Sequence, residues 1–317
     1  VIKRKKSMIG CLVLLIIIFI SVVAIMNYIS KRNKPLILDK SILRNYIKAA
    51  DEASKGKLQV NWKLVAAINA VQYKKELSNI SYSEILNLSK SFLDKNTTQT
   101  KVRGSEYRLK TAEEVLNNLK FDKKQKDKFK KYLEELEYEG LARGNLYEGA
   151  PNLEFIKEIK EEAINGYDKY GILPSITIGQ AILESGWGKS ELVLKANNLF
   201  GIKADASWKG KKVSMKTSEY YNKVITDSFR AYESKEDSIK DHREFLYKNT
   251  RYKQAGVFEA RQYIEQAQAL QKGGYSTVQN KQGEYIYAEL IINIIKENNL
   301  QLVDNEAQMR ILTNKKQ

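Results

Sequence analysis

The sequence predicts a mostly helical α+β protein. Three observations carry that expectation. Apolar residues recur at helical spacing through most of residues 38–300. Only one pair of short runs, 213–221 and 224–232, is rich in Val, Thr, Tyr and Phe and reads as a β-hairpin. Residues 8–29 form one uncharged apolar run. The expected order is a basic tail at 1–7, a transmembrane helix at 8–29, an all-α region at 36–140 and a linker at 141–151. A mixed domain with a small β-lobe follows at 152–302, then a polar tail at 303–317.

The 22 residues of the run (MIGCLVLLIIIFISVVAIMNYI) match the length of about 20 apolar residues that spans a bilayer. No small-x-small cleavage site follows, so the sequence predicts an uncleaved anchor. Lys3, Arg4, Lys5 and Lys6 precede the run, and Lys31, Arg32 and Lys34 follow it. That bias predicts a single-pass membrane protein with a cytoplasmic N-terminus and an extracytoplasmic body. The chain holds 54 Lys+Arg against 38 Asp+Glu, a net charge of +16. Residues 1–34 carry seven of those cations and no acid, whereas residues 151–317 are close to neutral. The excess therefore belongs to the basic N-terminus, which argues against nucleic-acid binding. One Cys excludes an internal disulfide framework, and one His argues against a Ser-His-Asp triad. No metal or cofactor constellation is legible.

Within 38–140, Leu43, Tyr46, Ile47 and Ala50 mark a first helix, and Trp62, Val65, Ala66 and Ile68 a second. Ile85, Leu86 and Leu88 mark a third, and 120–139 is a charged helix with Phe129, Tyr132, Leu133 and Leu136 on one face. Its lysine cluster reads as a solvated face or as a contact for anionic polymer. Residues 61–73 resemble the helix that carries the acid in lytic transglycosylases, with Gln72 at the acid position. Gln donates no proton as a general acid, so the region reads as a spacer or adaptor, with an envelope protein as a possible partner. Pro151 opens the second region. A helix is expected over 153–170, ended by Gly171. Pro174 starts the next, which runs to about Ser185 before Gly186 and Gly188. Ser234 caps a helix to Tyr247, and further helices fit 257–270 and 285–298.

Glu184 is the candidate acid. It follows Ile176, Ile178, Ala181, Ile182 and Leu183 and falls at a helix C-terminus. The negative end of the helix dipole and an apolar setting both disfavour a carboxylate. Both raise its pKa, as a general acid at neutral pH requires. Trp187 and Trp208 offer aromatic surface suited to a sugar ring.

The segments LPSITIGQAILESGWGKS at 173–190 and NNLFGIK at 197–203 resemble the endo-β-N-acetylglucosaminidase family of bacterial peptidoglycan hydrolases. TSEYY at 217–221, FRAYES at 229–234, SIKDHREFL at 238–246, RYKQAG at 251–256 and GGYST at 273–277 continue the resemblance over about 145 residues. It implies a lysozyme-like fold with a groove between a helical lobe and a β-lobe, and peptidoglycan glycan strands as substrate. By the same resemblance Glu184 is the catalytic acid, and Glu219 is the second carboxylate, a base or charge stabiliser. Assistance from the substrate's N-acetyl group stays an alternative to Glu219. The resemblance also places Tyr275 in the groove wall and His242 in a structural role; Tyr252 and Asn198 are further substrate-binding candidates, and Asn198, with Phe200 and Gly201, also shapes the bridge from helix to hairpin. The usual Thr-Asp-Pro after the Tyr is replaced by Thr277-Val278-Gln279. The expected activity is cleavage of the β-1,4 bond between N-acetylglucosamine and N-acetylmuramic acid. A muramidase or lytic transglycosylase, or a glycan-binding scaffold, is the alternative.

Overall fold

A computed structural model describes residues 16–23, 26, 35–95, 102–219 and 223–314. Val1–Ile37 and Leu38–Gln317 are separate compact units. In the first unit, residues 16–23 are helical and exposed. Eight residues rise about 12 Å, against a hydrocarbon core of about 30 Å. Among the described residues no helix is long and apolar enough to cross a membrane. This overturns the expected transmembrane anchor, and with it the membrane as partner and the single-pass localisation. Of the rest of the 8–29 run only Met26 is described, and it too is helical and exposed.

In the second unit α1 (Lys40–Ser54), α2 (Trp62–Gln72) and α3 (Tyr82–Ser91) come first. Asn61 caps α2, and Ser81 and Glu84 form a capping box on α3. Trp62, Tyr46, Leu43 and Ile68 fill this core, and Gln72 ends exposed at the edge of α2. The region is not all-helical. Strands β1 (Leu93–Lys95) and β2 (Tyr107–Leu109) pair antiparallel with Leu93 opposite Leu109. Three-residue strands are too short to show an alternating pattern, and Arg108 fixes them by ion pairs to Asp94 and Glu114. Helices α4 (Ala112–Asn118) and α5 (Lys123–Glu135) complete the region, with Phe129 as the buried residue of α5.

The chain then enters α6 (Pro151–Asn165), the short α7 (Tyr167–Tyr170), α8 (Pro174–Ser185) and α9 (Glu191–Ala196). The single helix expected over 153–170 breaks at Gly166, where a Cβ would strike the Arg243 side chain. Helix α8 is the centre of the domain: residues 174–182 are all buried. The β-lobe is a hairpin of β3 (Lys212–Glu219) and β4 (Lys223–Arg230) with Val213 opposite Phe229. Then come α10 (Lys235–Lys248), capped by Ser234, α11 (Thr250–Gln254), α12 (Tyr263–Lys272), α13 (Tyr287–Glu297) and α14 (Gln301–Asn314). Helices α6, α12, α13 and α14 surround α8.

Helix α14 replaces the polar tail the sequence suggested. Its polar residues look inward: Asp304 and Gln308 are fully buried. Asp304 accepts from the Ser175 backbone N–H (2.8 Å) and hydroxyl (2.6 Å). Gln308 accepts from the Gln59 N–H (2.7 Å). On the same seam, Tyr263 donates to Asp51 (2.6 Å) and Arg261 donates to the Arg103 carbonyl (2.6 Å). The first helical region is thus docked onto the second through buried hydrogen bonds, and residues 38–317 form one unit.

Candidate active site

Helix α8 delivers Glu184. Pro174 sets its first turn, and Gly186 ends it with φ +56. Trp187 (φ +64) and Gly188 (φ +71) continue in the left-handed region, so the chain reverses immediately after Glu184. The Ser185 hydroxyl oxygen accepts from the Gly188 N–H at 2.7 Å, and the Trp187 ring packs edge-on against Phe155 at 6.2 Å. A Cβ on Gly188 would meet Phe155 at 2.6 Å, so this turn admits no larger residue without movement.

The Glu184 carboxyl opens to solvent on one side and is crowded by protein on the others. Desolvation is the larger effect and raises its pKa above the ordinary value; a hydrogen bond from Tyr287 partly offsets it. The Tyr287 hydroxyl donates to Glu184 Oε1 at 3.3 Å and accepts from Gln180 Nε2 at 2.8 Å. Gln180 and Glu184 lie four residues apart on one face of α8. Tyr275 stacks on Tyr287 with ring centres 5.2 Å apart. Burial, and then the Glu184 charge, push the Tyr275 phenol well above its usual range, so it stays neutral. Its oxygen lies 3.4 Å from His242 Nε2, and His242 stacks on Phe200 at 3.8 Å. Burial, helped by Arg243, pushes the imidazole down to about 3, which makes His242 a neutral support.

The other candidates separate. Asn198 is 1% exposed. Its amide donates to the Ile202 and Arg230 carbonyls, and its oxygen accepts from the Phe200 and Ile202 N–H groups. It clamps the 198–202 bridge and has no group left for a ligand. Tyr252 is fully buried, with its ring 6.2 Å from Tyr275 and its hydroxyl bonded by Arg251. It braces the site from behind. Trp208 lies under the Arg230 guanidinium, 4.6 Å from its ring, and donates to the Lys211 carbonyl. It lines a cavity of about 410 Å³ with Arg230, Asp241 and Phe245, and Glu184 is not among the lining residues. Glu219 ends β3 opposite Lys223, and its side chain lies outside the described residues. Tyr287 and Gln180 were missed in the sequence. The i, i+4 spacing from Gln180 to Glu184 could have found the first partner, but nothing local marks Tyr287, 103 residues away.

Residues 160–300 match the family model described as mannosyl-glycoprotein endo-beta-N-acetylglucosaminidase. These residues form a glucosaminidase-family domain. The exo-glucosaminidase LytG of Bacillus subtilis is 42% identical over 156 residues, which cover 47% of this chain and 52% of LytG. The peptidoglycan hydrolase FlgJ of Vibrio cholerae is 42% identical over 108 residues, 32% of each chain. The catalytic domain of the autolysin Auto from Listeria monocytogenes is 33% identical, covering 50% of this chain and 89% of that one at a TM-score of 0.43. The chain spans about half or less of these two curated relatives.

Proposed function

We propose that the glucosaminidase domain hydrolyses the glycan strands of peptidoglycan at the β-1,4 bond that follows N-acetylglucosamine. The observation that carries this reading is the Glu184 carboxyl, its pKa raised by desolvation, open to solvent on one side and held by the Tyr287 hydroxyl. Glu184 donates its proton to the glycosidic oxygen as the bond to the anomeric carbon breaks. The cation that develops there is stabilised by Glu219, or by the substrate's own N-acetyl oxygen. Water then adds to the anomeric carbon, and its proton leaves to the resulting carboxylate. Trp187, one turn from Glu184, supplies apolar surface for a sugar ring. Membership of the glucosaminidase family and the similarity to LytG and FlgJ support the same substrate class.

The test is digestion of purified peptidoglycan by the full chain and by its Glu184→Gln variant, with borohydride-reduced products read by mass spectrometry. Reducing-end N-acetylglucosamine from the wild type, and none from the variant, is the expected result. Muramic acid at the new ends would move the bond, and no product from a folded wild type would defeat the reading.

A further inference from the structure

The loop from Tyr275 to Tyr287 is where this chain leaves the pattern it otherwise resembles, because Val278, Gln279 and Asn280 follow Thr277. The loop is folded on itself. Gln279 and Tyr285 form an antiparallel bridge, and Ile286 donates its N–H to the Val278 carbonyl at 3.3 Å. Asn280 Oδ1 accepts from the backbone N–H groups of Gln282 (3.0 Å) and Glu284 (2.9 Å). Asn280 Nδ2 donates to Glu284 Oε2 at 2.8 Å, and Gly283 supplies the φ of +81 that the turn requires. These bonds hold the small hairpin in one shape.

Both of its ends are fastened beside Glu184. Tyr275 stacks on Tyr287, and Tyr287 bonds the carboxylate. Two extended residues span about 7 Å, so Tyr285 stands close to the root that Tyr287 anchors. Tyr285 is 56% exposed and Val278 39%. An aromatic ring presented on a pre-ordered turn loses little conformational freedom on binding, and its apolar face suits the C–H face of a sugar.

We propose that this hairpin is an additional sugar-binding subsite: the Tyr285 ring stacks on an N-acetylated hexosamine of the strand whose scissile bond lies at Glu184, and Val278 receives an acetamido methyl group. The proposal rests on the glycosidase reading above. Its test compares Tyr285→Ala and Tyr285→Phe with the wild type in the full chain, on peptide-free glycan strands fractionated by length. For Tyr285→Ala, KM should rise about three- to tenfold on long strands with kcat unchanged. The shortest strands that are still cut should show no effect, and Tyr285→Phe should restore the wild-type KM. An unchanged KM on long strands, or an equal loss at every length, overturns the subsite. If the wild type cuts no strand, the glycosidase reading fails on its own. The subsite is then read from binding of an N-acetylglucosamine hexamer to the full chain, where equal affinity of wild type and Tyr285→Ala would sink it and a three- to tenfold loss would support it.

Discussion

Replacing Tyr287 by Phe removes the hydroxyl that bonds the proposed acid. The ring stays, so the stack on Tyr275 is kept, and only the hydroxyl is lost. That hydroxyl donates to Glu184 at 3.3 Å, a long contact, so its worth lies in the lower half of the usual range, about 0.5–1 kcal/mol. Donation favours the ionised carboxylate, and its loss raises the Glu184 pKa further. A general acid works protonated, so the alkaline limb of kcat/KM against pH should move to higher pH. The assay is turbidity loss of purified peptidoglycan across pH 5–9. The same change removes the acceptor that the buried Gln180 amide holds at 2.8 Å, which should cost about 1–3 kcal/mol in urea unfolding. A limb that stays fixed or moves down, in a variant that still unfolds cooperatively, would refute the role given to Tyr287.

Further outcomes are expected. Glu184→Gln should lower kcat by about 10²- to 10⁴-fold while the thermal midpoint holds, read by product formation and circular dichroism. Gly188→Ala should destabilise by about 1–3 kcal/mol, because alanine is strained at φ +71 and its Cβ meets Phe155 at 2.6 Å; an unchanged urea midpoint would contradict this. Asp304 sets a pH dependence of stability. Burial raises its pKa from 3.8 to about 7, so the folded state holds a proton that the unfolded state has released above pH 4. The contribution is complete below about pH 4 and is lost as pH rises to 7, about 4 kcal/mol in all. Asp51, raised to about 6, acts in the same direction. Asp304→Asn mimics the neutral acid, so its stability should fall less between pH 4.5 and 7.5, and an identical slope in both proteins would exclude Asp304 as the source. Asn198→Ala should cost about 1–3 kcal/mol through the unpaired 198–202 backbone, with KM for glycan moving no more than the loss of folded protein explains.

Much of the catalytic half was legible because its signals are local. Pro174 at the first turn, Gly186 at the C-cap and the apolar run between them define α8 within one residue. Ser234 caps α10 as its position suggested, accepting from the Asp237 N–H. The Val-, Thr- and Phe-rich runs around the turn gave the β3–β4 hairpin. The raised pKa of Glu184 followed from an apolar helix ending at a glycine.

Composition misled where polarity alone was judged. The last helix looked like a solvated tail, yet Asp304 and Gln308 are buried because Ser175 and Gln59 supply their partners from more than a hundred residues away. The short strands β1 and β2 carry too few residues for a period. Asn198 holds the 198–202 bridge, as its motif suggested, and the Tyr252 hydroxyl accepts from Arg251. The apolar run at 8–29 met the length rule for a span, whereas the helix described within it covers eight residues, 16–23.

The sequence by itself determined which helix bears the acid, how that helix starts and stops, and the family of residues 160–300, because caps, breakers and linked motifs act over a few neighbouring residues. Only the tertiary structure decided that Tyr287 holds Glu184, that Asp51 and Asp304 lie in a buried seam, and that residues 38–140 dock onto the domain. A hydrogen bond depends on distance in space, and the folded chain sets that distance without regard to separation along the sequence.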